Sequence, residues 1–424
     1  MTVCGIKMED IATAMKRDAN EGTPFSKEEL DSAVSSLKRC LTSSEEAKDI
    51  DWGGLAKYIR ERAHLPAKAW DTTKESAAIF EGIVGNPNDS KTFRKMFERI
   101  LNGGNWYKAK EFASKRGKDF KPWVVLVMGV NGIRKTTSTY QKWFAAAVKT
   151  ALGNDDIDID DLPCGSNSFF RQLDYMVATL ANKEFQNMYE GKMCNKGAET
   201  HAYSKYKDAI FARYRAMAEA LGILLLNAAK KARMNVMVET SGRDIASFAY
   251  IERFFPDDSK YRKLVVNFSI DKLVWAQNSV GGRMKQEMRE GRAAILRQAS
   301  IHELVAVNAG GPYGTEVLER VQSESTKVWD VVSAAITAAE DHHAIPVRKK
   351  RRLEDKGLVK AESIEDENAI TSERSNNSTS VLQCSWRMAH IAVRGNVMPE
   401  KWTARAVVGG AEVGDTFSYT ANVK

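Results

Sequence analysis

The segment Gly129-Val130-Asn131-Gly132-Ile133-Arg134-Lys135-Thr136-Thr137 constrains this chain most. It follows the apolar run Trp123-Val124-Val125-Leu126-Val127-Met128 and opens a helix-patterned stretch from Thr136 to Thr150. A strand that ends in a glycine-rich loop and runs into a helix is the setting of a phosphate-binding loop, written GxxxxGK[ST]. The chemistry explains the residue types. Glycine backbone curls around a polyphosphate, N–H groups and the helix N-terminus face the anion, lysine reaches the outer phosphates, and threonine holds Mg²⁺. Gly129, Asn131, Gly132, Lys135, Thr136 and Thr137 stand in register with that pattern, but the glycine that normally precedes the lysine is Arg134. A large cation there either swings outward, where it can add a bidentate phosphate contact, or obstructs the site. The competing reading is an ordinary strand-to-helix turn with two glycines.

At 424 residues the chain is long enough for two or three domains. Hydrophobic residues make up 43% and charged residues 28%, and no apolar run approaches the length of a bilayer span, so no membrane role is expected. Met1 to Asp10 carries neither a secretory nor an organellar pattern. Cys4, Cys40, Cys164, Cys194 and Cys384 are scattered and never spaced as CxxC, which fits a reducing intracellular compartment better than a disulfide framework or a zinc site. A net charge of +8 suits an anionic substrate as well as nucleic acid and decides nothing alone, and a nucleic-acid partner is not expected.

Residues 1–118 read as a helical N-terminal region, with patterned segments around Met8–Ala19, Lys27–Thr42, Leu55–Ala63 and Lys91–Leu101, and a capping box at Ser26 and Glu29. No catalytic constellation stands out there. From Trp123 short β-rich runs alternate with long helical ones over residues 119–340. That is the signature of an α/β domain of three layers with a mostly parallel sheet. Ala209–Arg233 predicts one long helix, Asn235–Glu239 and Leu264–Phe268 predict buried strands, and Leu304–Val307 is a weaker strand candidate. Residues 341–380 read as a flexible linker that contains the basic run Arg348–Arg352, a candidate for nuclear-import machinery or nucleic-acid contact. Residues 381–424 predict a few strands, too short for a core of their own.

Function in open parallel sheets collects beyond the carboxyl ends of the strands. Glu239-Thr240-Ser241-Gly242-Arg243 is therefore the second candidate site. Glu239 there can hold the water shell of a phosphate-bound Mg²⁺ or orient a substrate hydroxyl, or it simply caps the next helix. The third is Gly281 to Arg292, a basic helix or lid between glycine breaks, whose Arg283 and Arg289 can supply positive charge to a phosphoryl group in transfer, or lie on a solvated face. A general base is sought in the acidic stretch Asp155 to Asp161 or at Asp174, although the acidic run also reads as a solvated loop. His201 and His302 read as structural or surface residues.

This order of features resembles the zeta-toxin family of P-loop kinases, over about residues 120 to 320. The resemblance rests on the loop at Gly129, on Val238-Glu239-Thr240-Ser241 as a Glu-x-Thr strand end, and on Arg283 and Arg289. It implies a nucleoside-kinase-like fold and transfer of phosphate from ATP to a hydroxyl of a nucleotide-sugar or related small molecule. Two departures stand out. Where that family has an acidic base before Phe-x-Arg/Lys, this chain has Ser168-Phe169-Phe170-Arg171, so Asp161 or Asp174 must substitute; the other departure is Arg134. The loop and Glu239-Thr240-Ser241-Gly242-Arg243 are also similar to signal-recognition-particle-type GTPases, but no Asn/Thr-Lys-x-Asp segment selects guanine. Glu239 follows Gly129 by 110 residues, room for the substrate insertion of a kinase.

The expectation is an intracellular ATP- and Mg²⁺-dependent kinase of a small-molecule acceptor, cytoplasmic or nuclear. Lys135 is placed on the phosphates, Thr136 on the metal, Asp161 as base, Arg283 and Arg289 on the transferring group, and Glu239, Thr240 and Arg243 toward the acceptor. A GTPase, or a nucleotide-binding scaffold without turnover, is the alternative.

Overall fold

The computed structural model describes residues 2–3, 6–41, 44–153, 157–190, 199–312, 314–344, 386–395 and 401–420. Its organising element is strand β1, Trp123–Met128, in which all six side chains are buried. A continuous apolar run has no polar face to give to water, so it is stable only inside a sheet covered on both sides. β2 (Ser168–Arg171), β3 (Asn235–Glu239) and β4 (Arg262–Ile270) share this character, and they pair in parallel in the order β2-β3-β1-β4. Register then decides position. Val127 of β1 sits opposite both Glu239 and Val266, so Glu239 lies beside the chain just before it turns into the glycine loop.

The sheet continues with β5 (Trp386–Gly395), parallel to β4, and with β6 (Lys401–Val408) and β7 (Ala411–Thr420), both antiparallel to their predecessors. Residues 386–420 therefore form no separate unit. They extend the central sheet, and burial along β5 and β6 alternates as expected where one face is covered and the other is partly open.

The N-terminal region is helical as read: α1 (Met8–Glu21), α2 (Lys27–Arg39), α3 (Trp52–Arg62), α4 (Trp70–Val84), α5 (Lys91–Met96), α6 (Glu98–Gly103) and α7 (Trp106–Ser114). The capping box forms, with the Ser26 N–H donating to Glu29 at 2.8 Å and the Glu29 N–H donating to the Ser26 hydroxyl at 3.2 Å. Glu29 also accepts from Arg213 at 2.7 Å, which ties α2 to the α/β body. Trp106 packs edge-on against Phe169 of β2, ring centroids 4.9 Å apart. The helices thus share one core with the sheet.

The loop runs into α8 (Lys135–Thr139) and then α9 (Phe144–Leu152), two pieces where one helix was expected. α10 (Leu173–Leu180) and α11 (Asn182–Glu190) follow β2. The long helix expected before β3 divides at Tyr214 into α12 (Glu199–Arg213) and α13 (Arg215–Lys231). After β3 come α14 (Ala246–Phe254), α15 (Leu273–Leu296), α16 (Ile301–Asn308) and α17 (Leu318–Ala344).

Two expectations are corrected. Leu304–Val307 is not a strand: Ile301, Leu304, Val305 and Asn308 are buried at helical spacing, and Ser300 and Glu303 close a capping box. Gly281, Gly282 and Gly291 do not break α15. Gly291 instead lets a ring pack on the helix, since a Cβ there would lie 2.1 Å from Tyr189 Cζ. The basic run Arg348–Arg352 and most of the expected linker, like Asp155 and Asp156, fall outside the described residues. Among the described residues no helix is long and apolar enough to cross a membrane.

Ile391 of β5 is fully buried, and its truncation tests whether the C-terminal strands belong to the same cooperative body. Ile391→Ala should lower the stability of the main urea transition by about 2–5 kcal/mol. A change confined to a separate minor transition would mean an appended unit instead.

Candidate functional site

The cleft is built at the carboxyl ends of β1, β2 and β3. β1 leads on to β2 and its neighbour β3 leads on to β4, so the connections leaving these two adjacent strands diverge, and such divergence opens a crevice in a parallel sheet. Gly129 and Gly132 take φ of +135° and +91°, a region closed to most side chains. Space is short as well: a Cβ would lie 2.6 Å from Phe268 O at Gly129 and 2.5 Å from Ala276 O at Gly132. Only glycine lets the loop pass this close to β4 and α15.

Lys135 is buried at the floor of the loop. Its ammonium donates to the carbonyls of Gly129 at 2.6 Å and Val130 at 3.2 Å, and lies 3.3 Å from Glu239 Oε1. The other carboxylate oxygen of Glu239 accepts from the Thr136 hydroxyl at 2.7 Å. One carboxylate on β3 therefore ties both polar residues that open α8. Burial pulls the Lys135 amine below the usual lysine range, and Glu239 opposes that pull.

Asp174, in the first turn of α10, closes the second wall. A Cβ on Gly311 would be 3.4 Å from its carboxylate and 3.2 Å from the Asn131 amide, so these two side chains converge on the bare backbone of the Gly310-Gly311 loop. Burial, and then the neighbouring Glu239 carboxylate, push the Asp174 carboxyl up to about 6, against the opposing pull of Lys207, Arg283 and Arg215. Arg283, on α15, donates to the Gly311 carbonyl at 2.9 Å and lies 3.6 Å from Glu287 Oε1. Glu287 is fixed in turn by Lys207 at 2.8 Å and by the Tyr203 hydroxyl at 2.9 Å. This buried support of Arg283 was not legible in the sequence, because Lys207 and Glu287 are 80 residues apart and each reads as a solvated charge.

Arg134 occupies the left-handed region, φ 64° and ψ 31°, where the motif has glycine. Its side chain turns to the C-terminal strands, with the guanidinium 5.9 Å from the Trp402 ring centroid. Burial, and then repulsion from Arg283, disfavour its charged form, while Tyr419 favours it. A left-handed non-glycine residue costs about 1–2 kcal/mol, and a cation over an aromatic face at a partly exposed site returns about 0.5–1 kcal/mol. The aromatic contact offsets only part of that cost, and the buried Nε has no hydrogen-bond partner.

Other expected residues lie elsewhere. Asp161 is at the opposite end of the sheet, its carbonyl accepting from Trp123 Nε1 at 3.0 Å, and the structure does not bring it to the cleft. Arg289 is exposed on α15, six residues beyond Arg283 and so on a different face of the helix. The Thr240 hydroxyl is taken up by the following turn, sharing a hydrogen bond with Ser247 at 3.1 Å and accepting from the Gly242 N–H at 3.2 Å. Arg243 is exposed beyond it, and Thr137 sits in the first turn of α8. A cavity of about 800 Å³ lies between α17 and strands β4 to β6 and meets the loop at Val130. A second cavity, about 340 Å³, meets the loop at Thr136.

No protein-family model matches the chain, and no curated protein matches it in sequence. The geometry of the site therefore carries the functional argument.

The Glu239 pair makes an asymmetric prediction. Breaking a buried pair by removing one partner leaves the other charge stranded. Glu239→Ala should thus destabilise the fold by about 2–3 kcal/mol, and Lys135→Met, which removes the buried charge itself, should cost less. Equal or reversed losses in urea denaturation would show that Lys135 is held by the two carbonyls alone.

Proposed function

We propose that this chain is a phosphotransferase that binds ATP with Mg²⁺ on Gly129–Thr137 and passes the terminal phosphoryl group to a hydroxyl of a small molecule. The observation that carries this reading is the joint grip of Glu239 on Lys135 and Thr136, at 3.3 and 2.7 Å, beside a loop that only glycine backbone can form. The donor set fits the groups implied. Thr136 and Glu239 present hard oxygen atoms side by side, and Mg²⁺ is commonly held by one or two protein oxygens together with substrate phosphates. Among the described residues there is no group of three or more His, Cys, Asp or Glu that could hold a metal ion. Bound there, Mg²⁺ would draw charge from the β- and γ-oxygens.

The side chains divide the remaining work. Lys135 and the loop N–H groups orient the polyphosphate, and Glu239 holds Thr136 and the waters around it. Asp174 accepts the proton of the acceptor hydroxyl, whose oxygen forms the new bond to phosphorus as the bond to the β–γ bridging oxygen breaks and ADP leaves. Arg283, held by Gly311 and Glu287, faces the charge on the moving group. This reading replaces Asp161 with Asp174 as base, because Asp174 alone of the two lies beside Glu239.

Calorimetry with ATP and GTP at matched Mg²⁺ tests the nucleotide. ATP should bind in preference, Lys135→Ala should weaken it at least 100-fold, and Arg134→Gly should change it less than about threefold, since the arginine side chain points to Trp402. GTP preference would favour the GTPase resemblance, and silence with both would leave a scaffold.

The base predicts a pH profile. A carboxylate accepts a proton only when ionised, so with the Asp174 carboxyl at about 6, kcat/KM should fall as pH drops through 6 and level off above 7. Asp174→Asn should lower kcat by about 10²–10⁴-fold and abolish that limb. Persistence of the limb in the variant would place the base elsewhere.

A further inference from the structure

The cavity of about 340 Å³ that meets the loop at Thr136 is built mainly by the N-terminal helical region, from Arg99 on α6 to Tyr107 and Lys108 on α7. Its inner wall is Gln172 and Tyr175, which bracket Asp174 in sequence. The cavity therefore runs from Thr136 of α8 to the two residues on either side of Asp174 in the chain, Asp174 itself lying behind this wall.

Its walls are fixed by close backbone approach. The Phe170 N–H at the end of β2 donates to Gly104 O at 2.8 Å, and Asn105 donates to Gly165 O at 2.7 Å. A Cβ on Gly103 would lie 3.3 Å from the Tyr175 ring, and one on Gly104 2.6 Å from Phe170 O. The turn between α6 and α7 is thus moulded onto the strand that leads to Asp174.

The chemistry of the lining is one-sided. It holds two cations, Arg99 and Lys108, together with tyrosines and amides, and no carboxylate. Arg99 stands over the Tyr175 ring at 5.9 Å, and its Nε is buried without a hydrogen-bond partner. Tyr107 is 45% exposed, a large amount for an aromatic side chain that faces a cavity. Two cations among neutral donors, in a space the size of a small metabolite, match an anion that also carries hydroxyls.

We infer that this cavity is the acceptor site and that it takes a phosphate monoester bearing free hydroxyls, held by Arg99 and Lys108 beside Thr136 of the loop. The class is shared by sugar phosphates and nucleoside monophosphates. The inference rests on the phosphotransferase reading for the use of the site, but binding at the cavity is measurable without turnover. It also gives residues 1–118 a role in the site.

The test is calorimetry on the full chain with glucose 6-phosphate, cytidine 5′-monophosphate and unphosphorylated glucose, with and without a non-hydrolysable ATP analogue and Mg²⁺. At least one phosphate monoester should bind and glucose should not. Arg99→Gln and Lys108→Gln should each weaken that binding about tenfold or more. Lys108 is exposed, so its variant keeps the fold even where the Arg99 variant does not. Cytidine monophosphate binding tenfold tighter than glucose 6-phosphate, and losing that margin in Tyr107→Ala, would assign the nucleoside class; the reverse preference would assign the sugar phosphates, and equal binding would support recognition of the shared phosphate monoester. The inference is overturned if neither monoester binds the wild-type chain, or if binding survives both Arg99→Gln and Lys108→Gln. Loss of ATP-analogue binding with monoester binding intact would instead count against the nucleotide reading alone.

Discussion

The Glu239 carboxylate, gripping Lys135 and Thr136 at once, is the interaction on which the rest of the site depends. A buried ammonium is costly unless it is paired and hydrogen-bonded. Lys135 meets that demand with two loop carbonyls and Glu239, so the loop cannot relax without stranding a charge. The parallel register Val127↔Glu239 puts the carboxylate at the right height, and the bare backbone of Gly129 and Gly132 lets the loop lie against β4 and α15. Sheet register and loop geometry thus meet in one ion pair.

Around this centre the charges are layered. Lys135 and Arg283 bring positive charge to the cleft, and Asp174 and Glu239 face them, while Arg134 turns away to Trp402. The raised carboxyl of Asp174 follows from that crowding: burial and a like charge penalise ionisation more than the surrounding cations favour it. Arg283 stays in place because Glu287 is itself satisfied by Lys207 and Tyr203. A buried polar network of this kind holds its members only when each is paired.

The terminal regions are parts of the same machine. The strands at 386–420 bring Trp402 to Arg134, and Tyr419 shares a hydrogen bond with Ser138 of α8 at 2.9 Å. Phe417 stacks on Trp143 with ring centroids 5.4 Å apart. The C-terminal strands therefore brace the helix that follows the loop, and the N-terminal helices wall the cavity on its other side.

The sequence by itself determined the local elements. β1 and its glycine loop, the buried strands at Asn235 and Leu264, the capping box at Ser26 and the helical character of residues 1–118 were all legible, because apolar runs, glycine placement and caps act over a few neighbouring residues. β2 was missed, since four residues, Ser168–Arg171, give too short a period to read. Leu304–Val307 was misread because a short apolar run fits a strand or a buried helix turn equally well. Tertiary structure alone decided which charges meet. Asp161 and Asp174 were both plausible bases, and only the fold sends Asp161 to the Trp123 end of the sheet and Asp174 to the cleft. Likewise Arg283 and Arg289 sit on one basic helix, and only the packing of α15 turns the first inward. Electrostatic partners separated by tens to hundreds of residues leave no periodic trace in a sequence. They are chosen when the sheet order and the helix packing close around them.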